Sequence, residues 1–265
     1  MGNNYRIITS FIPYAPSATA QDSAFQATNL NSYQFHPHRP WKSSSNAGTV
    51  DLTCDMGAGN TIAGFSTDPA VFLDWLNVSS VRIQANGSLS WGSPPWTATV
   101  PIRRNPLSDK SRGFFRLADL DVTVTSYRYL NIRIDSTAPS SGYQYRIGTC
   151  LLGTAQELLA NPLYPAKRRI TEPVIVTKFS DGGFEVLKMG ENGAELSLEV
   201  QAVGSAELSE NFGIGQLGIS YPFVLWDSVA SAAEYAYLFR QSESREWTES
   251  FLDQHDSTWT MVEVR

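Results

Sequence analysis

Residues 69–88, PAVFLDWLNVSSVRIQANGS, constrain the fold more than any other stretch. Val71, Phe72, Leu73, Trp75 and Leu76 form a short, nearly continuous apolar run. Val81, Ile83 and Ala85 then alternate with Arg82 and Gln84 at the two-residue period of a half-buried strand. The stretch predicts two core strands, with Asn77, Ser79 and Ser80 turning the corner between them. It contains no chemistry, so it speaks for architecture and not for a reaction.

Further strands are predicted over 49–56, 96–102, 120–125, 129–135 and 143–152, nearly all short and separated by Gly, Pro, Asn or Ser. Turn signals at that spacing suit an antiparallel sandwich, in which each strand reverses and returns to the other sheet. Residues 1–26 read as an irregular N-terminal arm, with a strand lent to a neighbour as its other reading, 27–160 as the sandwich and 161–173 as a linker that includes the basic triplet Lys167, Arg168 and Arg169. A helical turn or two is expected near 154–160. Residues 174–265 read as a second β-rich domain. In it Leu196, Leu198 and Val200 alternate with polar neighbours, and the dipeptide Asn192-Gly193 signals a hairpin turn. The fold class expected is therefore mainly β with little helix.

Charge divides the chain near the same place. Residues 1–150 hold 12 Lys and Arg, 9 Asp and no Glu, a balance of +3, whereas residues 151–265 stand at −9. An overall charge of −6 without a long basic run argues against nonspecific grip on nucleic acid. No apolar segment approaches the roughly 20 residues of a membrane-spanning helix. Cys54 and Cys150 both sit in apolar strands. A bridge between them is open if those strands are neighbours, although two separate core thiols is the plainer reading.

Catalytic and metal chemistry have little to draw on. The chain has 3 histidines, and the pair His36 and His38 flanks a proline in a polar loop, where a structural or solvated role is expected. Asp51, Asp55 and Asp68 are candidate calcium ligands, but isolated aspartates more often cap or face solvent. No cofactor is assigned. The most suggestive loop is Trp91-Gly92-Ser93-Pro94-Pro95-Trp96, where two indoles around a rigid proline pair could stack on a sugar ring or anchor a protein interface. The alternative for Trp96 is to begin the next strand and cap the core. Arg103 and Arg104 are expected to flank the same end, and with His36, His38 and Arg39 they complete the candidate ligand or interface set.

The order of features from Trp41 and Ser43, through the acidic strand Val50 to Asp55, to the Trp91 loop and the run Tyr127 to Ile134, resembles the discoidin type of galactose-binding-like jelly roll. The whole chain resembles distal tail and baseplate proteins of tailed bacteriophages. That likeness is carried by the lead-in Arg39 to Ser44, the stretch Tyr143 to Gly153, and the second-half path through Asp181-Gly182-Gly183, Pro222 to Asp227 and Leu238-Phe239-Arg240. It implies a structural, non-enzymatic virion protein of the tail tip. Such a protein would join copies of itself into a closed ring, expected to be a hexamer. Its partners would be the tail tube, tape-measure and tail hub proteins, with a surface glycan as a further ligand. The alternative is a carbohydrate-binding module without catalysis, virion-borne or secreted.

Overall fold

The computed structural model describes residues 5–30, 40–44, 48–66, 68–74, 76–104, 111–117, 126–135, 144–157, 167–171, 174–178, 184–188, 193–204, 223–227, 236–241, 248–251 and 254–263. Over these residues the protein is mainly β, an antiparallel sandwich followed by a second β-rich part. Among the described residues the helical elements are the short turns Ala27–Asn29 and Ile62–Phe65, with Leu117 and Ser126 also in helical conformation. The first part comprises β1 (Tyr5–Phe11), β2 (Ala15–Ala18), β3 (Trp41–Lys42), β4 (Val50–Asp55), β5 (Pro69–Asp74), β6 (Ser80–Asn86), β7 (Trp96–Pro101), β8 (Arg103–Arg104), β9 (Ser111–Arg116), β10 (Tyr129–Ile134), β11 (Arg146–Ile147) and β12 (Thr149–Glu157). The second comprises β13 (Lys167–Thr171), β14 (Val174–Lys178), β15 (Phe184–Lys188), β16 (Gly193–Gly204), β17 (Phe223–Asp227), β18 (Ala236–Gln241), β19 (Thr248–Phe251) and β20 (Gln254–Glu263).

One layer of the sandwich is the five-stranded sheet β2-β4-β10-β6-β7. Its inward residues, among them Leu52, Cys54, Ile83, Ala85, Leu130 and Ile132, alternate with outward polar ones and pack against Val71, Leu73, Phe115, Cys150 and Leu152 of the opposing layer. The corner after β5 carries the chain from one layer to the other. Asn77 secures it by donating to the Gln144 carbonyl at 2.7 Å and accepting from the Arg146 amide at 2.8 Å.

The opposing layer is the centre of a longer sheet, β13-β16-β20-β18-β17-β1-β12-β5-β9-β8. Here β5 explains the continuous apolar run that dominates the sequence. Val71 and Leu73 face the sandwich core, while Ala70 and Phe72 face a second core with Ile8, Phe114, Leu151, Val224, Ala236 and Leu238. A strand covered on both faces loses the polar alternation that solvent would impose.

Four strands separate β9 from β18 along this sheet, about 24 Å if the sheet were flat. Nevertheless Arg112 of β9 donates from Nη1 to the Ala236 carbonyl of β18 at 3.0 Å, so the sheet curls back towards itself. Arg112 is fully buried, pairs with Asp74 at 2.9 Å and with Glu263, and lies over the Tyr237 ring at 5.1 Å. Glu263 in turn accepts from the Ala194 amide at 2.8 Å. A guanidinium buried away from water requires this much compensation, and its partners come from both halves of the chain.

Several sequence expectations change. The stretch read as an irregular arm supplies β1 and β2, and β1 lies between β12 and β17, joining the strands before residue 160 to those after it. Too few of its residues alternate for the pattern to show, because Ile7 and Ile8 are both buried. The expected helical turn near 154–160 is instead the end of β12, which pairs with β1 as far as Glu157. The basic triplet expected in a linker lies in β13, an edge strand on β16, where exposed cations discourage further pairing. The predicted strand 120–125 lies outside the described residues, and β9 was not expected at all. Asn192-Gly193 does not close a hairpin between β15 and β16, since those strands pair with β14 and with β13 and β20 respectively.

Candidate functional site

The outward face of the five-stranded sheet carries the densest polar arrangement among the described residues. Antiparallel register sets Thr53, Asn131, Gln84 and Thr97 in one row and Asp51, Arg133, Arg82 and Thr99 in the next. Asn131 is wholly buried and organises both rows. Its amide donates to Asp51 at 2.6 Å and to Gln84 at 3.0 Å, and its carbonyl oxygen accepts from Thr53 at 3.4 Å. Arg133 grips Asp51 through two bonds of 2.8 and 2.9 Å. Burial acts to raise the Asp51 carboxyl, but the hydrogen bonds of Arg133 and Asn131 and the guanidinium charge outweigh it and hold the group below the usual carboxylate range. Beside this network Arg128 grips Asp55 at 2.7 and 2.8 Å while lying 4.7 Å over the Tyr129 ring. Hydrogen bonding from Arg128 is the main reason the Asp55 carboxyl is also held low.

The loop between β6 and β7 returns over this face. Asn86 ties its base by donating to the Ser90 carbonyl at 2.6 Å, and the Trp91 carbonyl accepts from Arg133 at 3.5 Å. Trp91 is half-buried there. Trp96 sits opposite Ala85 on the inward face and packs on the sandwich core. Trp96 therefore takes the core-capping role, and Trp91 is tied to the outward network through its carbonyl. Arg103 and Arg104 are exposed on β8, paired with Arg112 and Ser111, about 20 Å along the extended chain from Trp96. His36, His38 and Arg39 lie outside the described residues.

Asp51, Asp55 and Asp68, the candidate calcium ligands, are each committed to an arginine, the last to Arg116 at 2.9 Å. Among the described residues no group of three or more His, Cys, Asp or Glu side chains could hold a metal ion, and no helix is long and apolar enough to cross a membrane. Asn131, Gln84, Thr53 and Asp51 are themselves buried, so the network braces the face from within, and Arg133 carries it to the carbonyl of Trp91. Sequence reasoning passed over Asn131, Gln84 and Arg133. Their signal is the outward alternation Tyr129, Asn131, Arg133 on β10, visible in the sequence but indistinguishable there from an ordinary solvated face.

A second surface has the opposite character. Among the described residues strands β14 and β15 pair with each other alone, with Val174 opposite Lys188, Ile175 opposite Leu187 and Val176 opposite Val186. They form a two-stranded arm that follows the edge strand β13. Val174, Ile175, Val176, Val186 and Leu187 are between 39% and 56% exposed, and they occupy both faces of the arm.

No protein-family model matches the chain, and no curated protein matches it by sequence. Among solved structures, similar ones include chitosan-binding module 1 from a chitosanase/glucanase of Paenibacillus sp. IK-5, at 15% identity over 55% of this chain and 97% of that one. A GH29 fucosidase of Ruminococcus gnavus matches at 8% identity over 54% of this chain and 25% of its own. Reduced XRCC1 bound to the DNA polymerase beta catalytic domain matches at 10% identity over 56% of this chain and 97% of its own. All three stand at a TM-score of 0.36, a level at which neither fold nor function carries over.

Proposed function

We propose that the chain is a non-catalytic building block of a tailed-bacteriophage tail tip, a distal tail or baseplate subunit that joins copies of itself into a ring between the tail tube and the host-recognition apparatus. The observation that supports this reading is the β14–β15 arm. An isolated two-stranded sheet is marginal in water, and this one presents valine, isoleucine and leucine on two open faces. Apolar surface of that kind marks a protein–protein contact, and a neighbouring subunit can cover both faces at once. Ring closure then also disposes of the exposed edges of the long sheet. The −9 charge of residues 151–265 suits a wall that repels passing DNA.

Light scattering at several concentrations with negative-stain imaging tests the reading. Wild-type protein, alone or with tail tube and hub proteins, is expected to form closed rings, and the double variant Ile175→Asp, Leu187→Asp to stay monomeric with an unchanged melting temperature. A wild type that remains monomeric with those partners overturns it.

A second reading, a carbohydrate-binding module, is favoured by the half-buried Trp91, whose carbonyl accepts from Arg133 of the polar network. An indole next to oriented polar groups is the chemistry of sugar recognition. Glycan-array binding that disappears in Trp91→Ala and in Arg133→Ala supports it, and the absence of binding to any glycan removes it.

A further inference from the structure

Asn86 ends strand β6 and is followed by Gly87 and Ser88. It pairs with Tyr129 on one side, while on the other side the ladder with β7 has already ended at Ala85 and Trp96. The peptide that joins Asn86 to Gly87 therefore leads out of both ladders, and residues 87–90 are exposed. A Cβ built on Gly87 would meet nothing within 4 Å, so this peptide stands in open space. The Asn86 side chain reaches forward along it. Its Oδ1 accepts from the Ser88 amide at 3.2 Å and from the Ser88 hydroxyl at 3.5 Å, closing a ring around Gly87 in which the side chain takes the place of backbone. Its Nδ2 donates to the Ser90 carbonyl at 2.6 Å and so ties the base of the loop that carries Trp91.

We propose that Asn86 is a site of spontaneous deamidation and that its conversion unties the Trp91 loop. The Gly87 backbone nitrogen attacks Cγ of Asn86 and gives up its proton. A C–N bond forms, and Nδ2 leaves as ammonia with that proton, which closes a succinimide ring. Water then adds at either ring carbonyl and opens the ring, leaving an aspartate or an isoaspartate where the asparagine stood. Water enters, ammonia leaves, and no electrons are transferred. Two features serve the first step. Glycine lacks the side chain that would hinder the approach and restrict the backbone rotation it requires. The two Ser88 donors face the oxygen on which negative charge develops as the nitrogen adds. The bond to Ser90 opposes departure of the nitrogen, but it is exposed, so water replaces it at little cost. Asn77 marks the contrast. It precedes the buried, β-branched Val78, and it is held by the Gln144 carbonyl at 2.7 Å and the Arg146 amide at 2.8 Å. The product at position 86 is a carboxylate, which accepts but does not donate. It repels the Ser90 carbonyl, and an isoaspartate also lengthens the backbone at the end of β6, so either product loses the tether.

The test is to hold the native full-length chain in mildly alkaline buffer for several weeks, with the same chain in urea as reference, and to map peptides by mass after digestion in acid. In the native chain the peptide that contains residue 86 is expected to gain about one mass unit and to separate into aspartyl and isoaspartyl forms, while Asn77 keeps its amide. Gly87→Ala, whose added methyl has room in the native fold, is expected to convert several-fold more slowly. Native protein that keeps the Asn86 amide overturns the proposal, and conversion in urea alongside it would show that the fold blocks the reaction. An aspartyl product alone, an unchanged rate in Gly87→Ala, or equal conversion of Asn77 overturns it as well. The tether is read separately by hydrogen exchange in Asn86→Asp. The amides of Ser88, Ser90 and Trp91 are expected to exchange faster than in the wild type, with those of β6 unchanged, and equal exchange overturns the untying. None of these outcomes depends on whether the chain builds a ring or binds a glycan.

Discussion

Strand β5 and the β14–β15 arm have nearly the same local character and opposite fates. Both are short runs rich in Val, Ile, Leu and Phe, with little polar alternation. Every residue of β5 is buried, because the five-stranded sheet covers one face and the curled extension through β1, β17 and β18 covers the other. The arm pairs only with itself and exposes both faces. A continuous apolar run in a strand thus announces that two faces need cover, and leaves open whether the chain or a partner provides it.

The comparison breaks most severely if the cover on β5 is removed. A fragment ending at residue 160 keeps the sandwich core but strips Val224, Ala236 and Leu238 from the face formed by Ile8, Phe72, Phe114 and Leu151. It is expected to aggregate or to fold without cooperative melting, as judged by size-exclusion chromatography and calorimetry. A soluble, sharply melting fragment would mean that the two halves are independent.

Next comes the buried ionic link. Arg112→Ala leaves Asp74 and Glu263 without their shared cation and is expected to cost about 3–5 kcal/mol in urea denaturation. Arg112→Met, which restores the bulk without the charge, still strands both carboxylates and should recover little. Phe72→Ala is expected to cost about 3–5 kcal/mol through the cavity it leaves, whereas Leu187→Ala on the arm should change monomer stability by no more than about 0.5 kcal/mol while weakening self-association. Equal losses at the two positions would erase the contrast between them.

A smaller effect is set by pH. Asp51 and Asp55 have folded-state values below their unfolded ones, so their arginine pairs contribute stability that is complete above the unfolded carboxylate value of about 4. That stability is lost as pH falls through the lower folded values. Melting temperature should accordingly fall from pH 5 to pH 3 more in the wild type than in Asp51→Asn. A parallel decline would show that the Asp51–Arg133 pair contributes nothing to the dependence.

Much of the architecture was legible because strand periodicity is local. Val81, Ile83 and Ala85, or Leu196 and Leu198, declare their inward faces two residues at a time, and Gly, Pro and Asn mark the reversals between them. The antiparallel class, the core of the five-stranded sheet, the inward cysteines and the core-capping role open to Trp96 follow from such patterns. The candidate site was only half legible. Trp91 stood out as an indole in a rigid loop, but Asn131 and Gln84 look like any outward polar residues until the register sets them beside Asp51 and Arg133.

What the tertiary structure alone decided are the non-local pairings. Nothing in Tyr5 to Phe11 states that this strand lies between β12 and β17, more than 140 residues away in sequence on either partner. Nothing around Arg112 announces its contacts with Ala236 and Glu263. A side chain's preference for burial is set by its own chemistry and its neighbours along the strand, so the sequence carries it directly. The identity of what buries it depends on how sheets stack and curl, which the summed packing of the whole chain determines.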